Sequence, residues 1–122
     1  MFRFCFDGNW DESQKSIIRQ GVYSWSETGV SFVESSAPNC DTTIYMANVY
    51  SAPGEASLEP EYVNINPDYL SVLVAAHEIG HNLGVSHEPY GLMEPYINSK
   101  DTATAVPTEY SLARVRELWG TE

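Results

Sequence analysis

The chain has 122 residues, of which 17 are Asp or Glu, 6 are Lys or Arg and 3 are His, and its formal net charge at pH 7 is −11. This length predicts a single domain over residues 1–122, and a content of 43% hydrophobic and 12% aromatic residues excludes an intrinsically disordered acidic tail. The negative charge excludes nucleic acids and anionic membrane surfaces as expected partners, because both bind basic patches. The sequence also lacks a run of 18 apolar residues, so it predicts no membrane-spanning helix.

The first half of the chain predicts one helix among several strands. Alternating Phe residues predict a strand over residues 2–6. An N-cap pattern at Asp11 and an apolar stripe predict a helix that runs to about Glu27, with Gly29 as its stop. Segments rich in strand-forming residues follow, and they cover residues 30–34, 43–49, 54–59 and 62–66.

The second half of the chain is dominated by an apolar helix. The segment from Asp68 or Tyr69 to Leu83 is apolar nearly all round, which predicts a helix in the core. Gly84 follows at the position of a left-handed residue that ends a helix. The remaining predicted elements are a loop over residues 85–106 and a last helix that begins at residues 107–109 and closes at Gly120.

The cysteine content leaves the redox compartment open. Cys5 and Cys40 are the two cysteines of the chain, and a disulfide between them would contribute roughly 3–4 kcal/mol in the chain-entropy model. Two buried free thiols are the alternative. The first residues do not show the basic and long apolar segments of a signal peptide, so they do not decide between compartments.

The segment HEIGHNLGVSH, residues 77–87, carries the clearest chemical signal. His77 and His81 are four residues apart, so on a helix their imidazoles lie about 6 Å apart along the axis and reach one metal ion. Glu78 lies about 100° around the helix, where its carboxylate meets a water on that metal. Gly84 lets the chain leave the helix, and His87 returns as a third ligand. Three nitrogen ligands and one open position are typical of a catalytic zinc site, so we expect one Zn²⁺ ion.

A core histidine with satisfied hydrogen bonds is the ordinary alternative for a single His on an apolar helix. Here, however, all 3 histidines of the chain fall into one motif. Burial of His and Glu on an apolar helix is also unfavourable unless a partner such as a metal compensates for it. The pattern therefore favours a metal site, and it leaves no histidine for a second one.

This motif, followed by GLMEP at residues 91–95, resembles the signature of the metzincin zinc endopeptidases. In that family the methionine that corresponds to Met93 forms a hydrophobic floor below the metal, and an ordinary core residue is the alternative. The segments SWSETGVSFVE, residues 24–34, and RVRELWG, residues 114–120, are similar to parts of the matrixin branch. The resemblance implies an α+β, metzincin-like zincin fold with a twisted mixed five-stranded sheet and three helices.

The same resemblance implies a function and a set of substrate contacts. It implies a zinc-dependent endopeptidase that hydrolyses internal peptide bonds of proteins through a metal-activated water, with Glu78 as the general base. Its substrates are polypeptides that add as an antiparallel strand to an edge of the sheet. A secreted or extracellular location is favoured by the resemblance, and we expect a monomer. The candidate substrate-binding residues are Ala56, Ser57 and Leu58 at the sheet edge and Pro95, Tyr96 and Ile97 in the wall of the S1′ pocket.

Two other function classes stay open at this point. The first is a metal-dependent hydrolase of a non-peptide bond, and the second is a catalytically silent binding module that zinc stabilises. Glu78 speaks against the second, since a purely structural site has no use for an adjacent carboxylate. Calcium is a further candidate ligand for a group of acidic residues, for which a solvated surface is the alternative, and these are Asp41, Glu55, Glu59, Glu61 and Asp68.

Overall fold

The computed structural model of the chain describes residues 1–47, 53–58, 61–88, 91–93 and 105–121. Its five strands and three helices confirm the predicted α+β class. None of the helices that the structure describes is long and apolar enough to cross a membrane. The elements are β1 (Phe2–Phe6), α1 (Glu12–Tyr23), β2 (Phe32–Glu34), β3 (Thr42–Met46), β4 (Gly54–Leu58), β5 (Glu61–Ile65), α2 (Val72–Asn82) and α3 (Glu109–Trp119), with short 3-10 turns at Ser26–Thr28 and Pro67–Tyr69.

The five strands form one mixed sheet in the order β2-β1-β3-β5-β4. β1 is parallel to both β2 and β3, and β3 is parallel to β5. β4 is antiparallel to β5, its one neighbour among the described strands. This order places β4 at an edge of the sheet, where the resemblance locates the substrate-binding strand.

The core lies between the sheet and the helices. Alternation along β1 buries Phe2 and Phe4 completely, and Ile44 of β3 joins them. From α1, Ile18 and Val22 are one turn apart and enter the same core. In these elements, the apolar residues that the sequence pattern places on one face are therefore the residues that are buried.

Two helix boundaries differ from the sequence prediction. α1 ends at Tyr23 instead of near Glu27, because the chain tightens into a separate 3-10 turn. α2 begins at Val72, later than expected, because Ser71 is its N-cap: Ser71 has an extended backbone, and its hydroxyl accepts a hydrogen bond of 3.1 Å from the N–H of Val74. In both cases a polar cap or turn decides the boundary within a longer apolar pattern.

Cys5 and Cys40 form a disulfide, a pairing that the sequence left open. Their Cα atoms lie 5.8 Å apart, as is usual for disulfides. The bond joins β1 to the segment that precedes β3 and closes a loop with a sequence separation of 35. In the chain-entropy model such a loop contributes about 4 kcal/mol to stability.

Gly21 of α1 allows a close crossing of α1 over α2. A Cβ atom at this position would lie 2.6 Å from the Cβ of Ala75 and 2.8 Å from the backbone N of Ala76. We expect Gly21→Ala to lower the free energy of unfolding by about 1–3 kcal/mol, because the helices must separate. Urea unfolding measures this change. Gly8→Ala is the matched control, since no atom lies within 4 Å of that site, and equal unfolding midpoints for the two variants would contradict the close crossing.

Candidate metal centre

The structure brings the three predicted metal ligands together. His77 and His81 lie one turn apart on α2, and His87 returns to them from the chain that follows the helix. Their ligand atoms all lie within 4.8 Å of one another. In the part of the chain that the structure describes, no other group of three His, Cys, Asp or Glu side chains could hold a metal ion.

Backbone carbonyls orient two of these imidazole rings. Nδ1 of His77 lies 2.8 Å from the carbonyl oxygen of Leu92, and Nδ1 of His81 lies 2.8 Å from that of Val85. Because a carbonyl oxygen only accepts, we assign the proton of each neutral ring to Nδ1. Each Nε2 then keeps a lone pair, and the two Nε2 atoms lie 3.2 Å apart. A contact with a backbone carbonyl is one of the common ways in which proteins orient histidine ligands.

This donor set fits a single zinc ion. Two nitrogens that bind one tetrahedral zinc ion are separated by about 3.3 Å, which is close to the 3.2 Å between the Nε2 atoms of His77 and His81. Two lone pairs that face each other at this distance repel, and a cation between them removes the repulsion. Three imidazoles without a thiolate are typical of catalytic zinc, because they leave one coordination position for water or substrate.

Burial keeps the two helical histidines in the form that binds metal. Burial, with a smaller contribution from electrostatic repulsion by His81 and His87, lowers the pKa of His77 to about 4, although the hydrogen bond to Leu92 opposes the shift. Burial likewise lowers the pKa of His81. Metals bind neutral imidazole, so both rings are ready for a metal ion at neutral pH.

The side chain of Glu78 extends from α2 toward the edge strand β4. Its side chain is buried, and Gly54 of β4 packs directly against it: a Cβ atom on Gly54 would lie 3.1 Å from Cγ of Glu78 and 3.3 Å from Oε2. Burial, with a smaller contribution from the negative charge of Glu55, raises the pKa of Glu78 to about 7. A carboxylate with this pKa exchanges protons readily at neutral pH, as a general base must.

A cleft of about 560 Å³ opens over the three histidines and Glu78. Ala56 and Leu58 of β4 line this cleft, and the side chain of Leu58 is exposed. Ser57, between them, contributes a carbonyl oxygen that accepts a hydrogen bond from Asn82. The structure therefore places the predicted edge residues beside the predicted ligands. The other predicted substrate contacts, Pro95, Tyr96 and Ile97, lie outside the described residues.

Met93 is fully buried against the middle of α2. A Cβ atom on Gly80 would lie 2.7 Å from Sδ of Met93 and 2.6 Å from Cζ2 of Trp25, so the glycine lets both side chains contact the helix backbone. The indole N–H of Trp25 also donates to the carbonyl of Ala76 at 2.9 Å. Gly80 lies between His77 and His81 in sequence, so the contact of Met93 with Gly80 is consistent with the position below the metal that the resemblance implies for Met93.

Two residues near the site, Glu88 and Asn82, are not predicted from the motif. The buried carboxylate of Glu88 accepts hydrogen bonds from the hydroxyls of Thr108, at 2.8 Å, and Ser111. Thr108 is the N-cap of α3, so these bonds tie the segment that carries His87 to the start of that helix. The only signal for Asn82 in the sequence is a polar residue on an otherwise apolar helix.

Among the described residues, no three of the acidic side chains proposed for calcium lie together. Asp41 accepts a hydrogen bond of 2.7 Å from the backbone N–H of Arg3, and Glu55 accepts one of 2.8 Å from the amide of Asn64. Burial and the charge of Asp41 raise the pKa of Glu61 to about 7. Asp68 is exposed on a 3-10 turn, and Glu59 lies outside the described residues. Calcium binding stays a prediction.

Comparison with known proteins identifies the family. Residues 1–91 match the family model of the Astacin peptidases, which is 91 of the 122 residues of the chain. No curated protein matches the chain. Astacins are metzincin-class zinc metalloproteases, so the metzincin prediction is confirmed, but the branch is astacin instead of matrixin. The matrixin-like segment at residues 24–34 lies inside this match, and the one at 114–120 lies beyond it. The chain therefore belongs to the astacin family of metallopeptidases.

Proposed function

We propose that this protein is a zinc-dependent endopeptidase that hydrolyses internal peptide bonds of proteins. The observation that carries the proposal is the convergence of three histidine ligand atoms within 4.8 Å beside a buried glutamate. Membership of a family of zinc metallopeptidases supports the same chemistry. The cleft over this group is bordered by an edge strand, which suits a substrate that is itself a polypeptide.

The residues divide the reaction between them. His77, His81 and His87 would hold the zinc ion. When bound, zinc acts as a Lewis acid that polarises the scissile carbonyl and lowers the pKa of a water molecule. Glu78 accepts a proton from the attacking water and later delivers it to the leaving amine as the C–N bond breaks. A pKa of about 7 for Glu78 suits both steps, since the carboxyl group must gain and lose a proton in each turnover.

The substrate would bind along β4. The backbone of an edge strand provides hydrogen-bonding groups to an added antiparallel strand, and side chains of alternate residues fill pockets. Ala56 and Leu58 alternate in this way and line the cleft. The exposed side chain of Leu58, with 59% of its surface accessible, favours an apolar substrate side chain at this end of the cleft.

Activity is expected to depend on zinc. We expect the purified chain, supplied with one equivalent of zinc, to cleave a reduced and alkylated protein at internal bonds. Incubation with a chelator removes this activity, and added zinc restores it. Mass spectrometry of the products locates the cuts and gives the residue preference at P1′. Intact substrate after incubation with zinc-loaded protein would contradict the proposal, and cleavage that persists after chelation would contradict the role of the metal.

We also propose that the protein acts in an oxidising compartment such as the extracellular space. The Cys5–Cys40 disulfide supports this location, because reducing compartments keep most protein thiols unpaired. The same bond connects β1, an interior strand of the sheet between β2 and β3, to the segment before β3. Treatment with a reductant therefore tests how far the fold depends on such an environment.

A further inference from the structure

Asn82 is the last residue of α2 and directly follows His81. Only 5% of its surface is exposed. A buried amide needs hydrogen-bond partners, since its transfer from water is otherwise unfavourable. Asn82 finds these partners on the sheet, outside its own helix.

The two polar atoms of the Asn82 side chain connect α2 to three strands. Oδ1 accepts a hydrogen bond of 2.6 Å from the hydroxyl of Thr42, at the start of β3. Nδ2 donates to the carbonyl of Ser57 on β4 at 3.1 Å and lies 3.5 Å from the carbonyl of Tyr62 on β5. Because Thr42 is also buried, the bonds form where little water competes with them.

A second contact between α2 and β4 lies at the other end of the strand, where Gly54 packs on Glu78. Gly54 and Ser57 are about 10 Å apart along an extended strand, and Glu78 and Asn82 are about 6 Å apart along a helix. The part of β4 between these two contacts borders the cleft, and His81 lies between the two helical residues in sequence. The two contacts together therefore fix the distance between the edge strand and the histidines.

We propose that Asn82 is a positioning residue that holds the edge strand β4 against α2 and so sets the width of the groove into which a substrate strand adds. This inference rests on the proposed endopeptidase function, because it assigns β4 to substrate binding. Asn82 touches neither substrate nor metal in this role. It acts through the backbone of β4, at the carbonyl of Ser57.

Asn82→Asp is the most direct test. The carboxylate has the same shape and can still accept from Thr42, but it cannot donate to the carbonyls of Ser57 and Tyr62. For a peptide of about ten residues that spans the cleft, we expect the zinc-loaded variant to show about a tenfold higher KM and a kcat changed by less than about twofold. For a peptide of about four residues cut at the same bond, we expect KM to change by less than about twofold, because it barely uses the edge strand.

The control is Asn9→Asp, the same chemical change at an exposed residue. It should leave both peptides unaffected. Zinc affinity should be the same in Asn9→Asp, Asn82→Asp and the parent chain. An equal loss of activity on the long and the short peptide in Asn82→Asp, or no loss on either, would overturn the positioning role. If Asn82→Asp does not fold, Thr42→Val removes one bond of the same side chain and should raise the KM of the long peptide to a smaller extent, and an unchanged KM would count against the proposal.

A measurement on the parent chain separates this inference from the proposed function. In the zinc-loaded protein, NMR should show the side-chain amide protons of Asn82 exchanging with solvent far more slowly than those of exposed Asn9. Equal exchange rates would overturn the inference. If the parent chain cleaves neither peptide, the proposed function fails, and backbone hydrogen exchange then decides the positioning by itself. If the backbone amides of β4 exchange faster in Asn82→Asp than in the parent chain, the positioning role of Asn82 is supported. If their exchange rates are unchanged, the positioning role is contradicted.

Discussion

Glu78→Gln is expected to abolish peptide cleavage while zinc still binds. The amide has nearly the shape of the carboxylate but cannot accept a proton from water, so kcat should fall by about 10²–10⁴-fold, the usual contribution of a general base. Zinc binding should persist, because the three histidines and the carbonyls that orient His77 and His81 are unchanged. Steady-state kinetics on a quenched fluorescent peptide measures the first effect, and metal analysis after dialysis measures the second.

Two comparisons make the result for Glu78 specific. Glu27→Gln makes the same change on an exposed residue and should leave kcat as it is in the parent chain. Glu78→Gln should also unfold at an equal or higher urea concentration than the parent at neutral pH, since it removes a carboxyl group whose ionisation burial disfavours. If Glu78→Gln retained most of the activity, another group would be the base.

His87→Ala is expected to weaken zinc binding by at least about 100-fold, because the loss of one of three protein ligands exceeds the usual effect of losing a residue that only supports a ligand. His87 is exposed and lies outside the helices, so the fold should survive its replacement. Competition with a chromophoric chelator measures the affinity, and circular dichroism checks the fold.

Ser86→Ala serves as the control for His87, because it changes the exposed neighbour in the same segment and leaves the three imidazoles in place. Its zinc affinity should equal that of the parent chain. Unchanged zinc affinity in His87→Ala would reduce the site to the two helical histidines, and the short loop that returns His87 to them would then have no role in metal binding.

The convergence of the candidate ligands was predictable from the sequence because its geometry is local. His77 and His81 face the same side of any α-helix, and Glu78 is their immediate neighbour, so their relative positions follow from helical geometry. Gly84 has a φ of 103°, a conformation that favours glycine, and this turn directs the chain toward His87. The strands were predictable for the same reason, since the alternation of apolar and polar residues along a strand is also a property of one short segment.

The branch of the family was not predictable in the same way. The segments at 24–34 and 114–120 are short and resemble matrixins, whereas the match to astacins rests on 91 residues together. A short segment mostly reflects the demands of one helix end or one strand, which related families share. The start of α2 shows the same limit, because the apolar pattern continues upstream of Ser71 while the Ser71 cap decides that the helix begins at Val72.

By itself, the sequence determined the three histidines, the adjacent glutamate, the apolar helix that carries them and the class of strands and helices around it. The tertiary structure decided which partners complete the site: the carbonyls of Leu92 and Val85 that set the tautomers, the packing of Met93 on Gly80, and the bonds from Asn82 to the sheet. The physical reason is that a spacing along one helix fixes the angle and rise between its side chains, whereas a hydrogen bond or close contact between distant segments depends on how the sheet, the helices and the loops pack together.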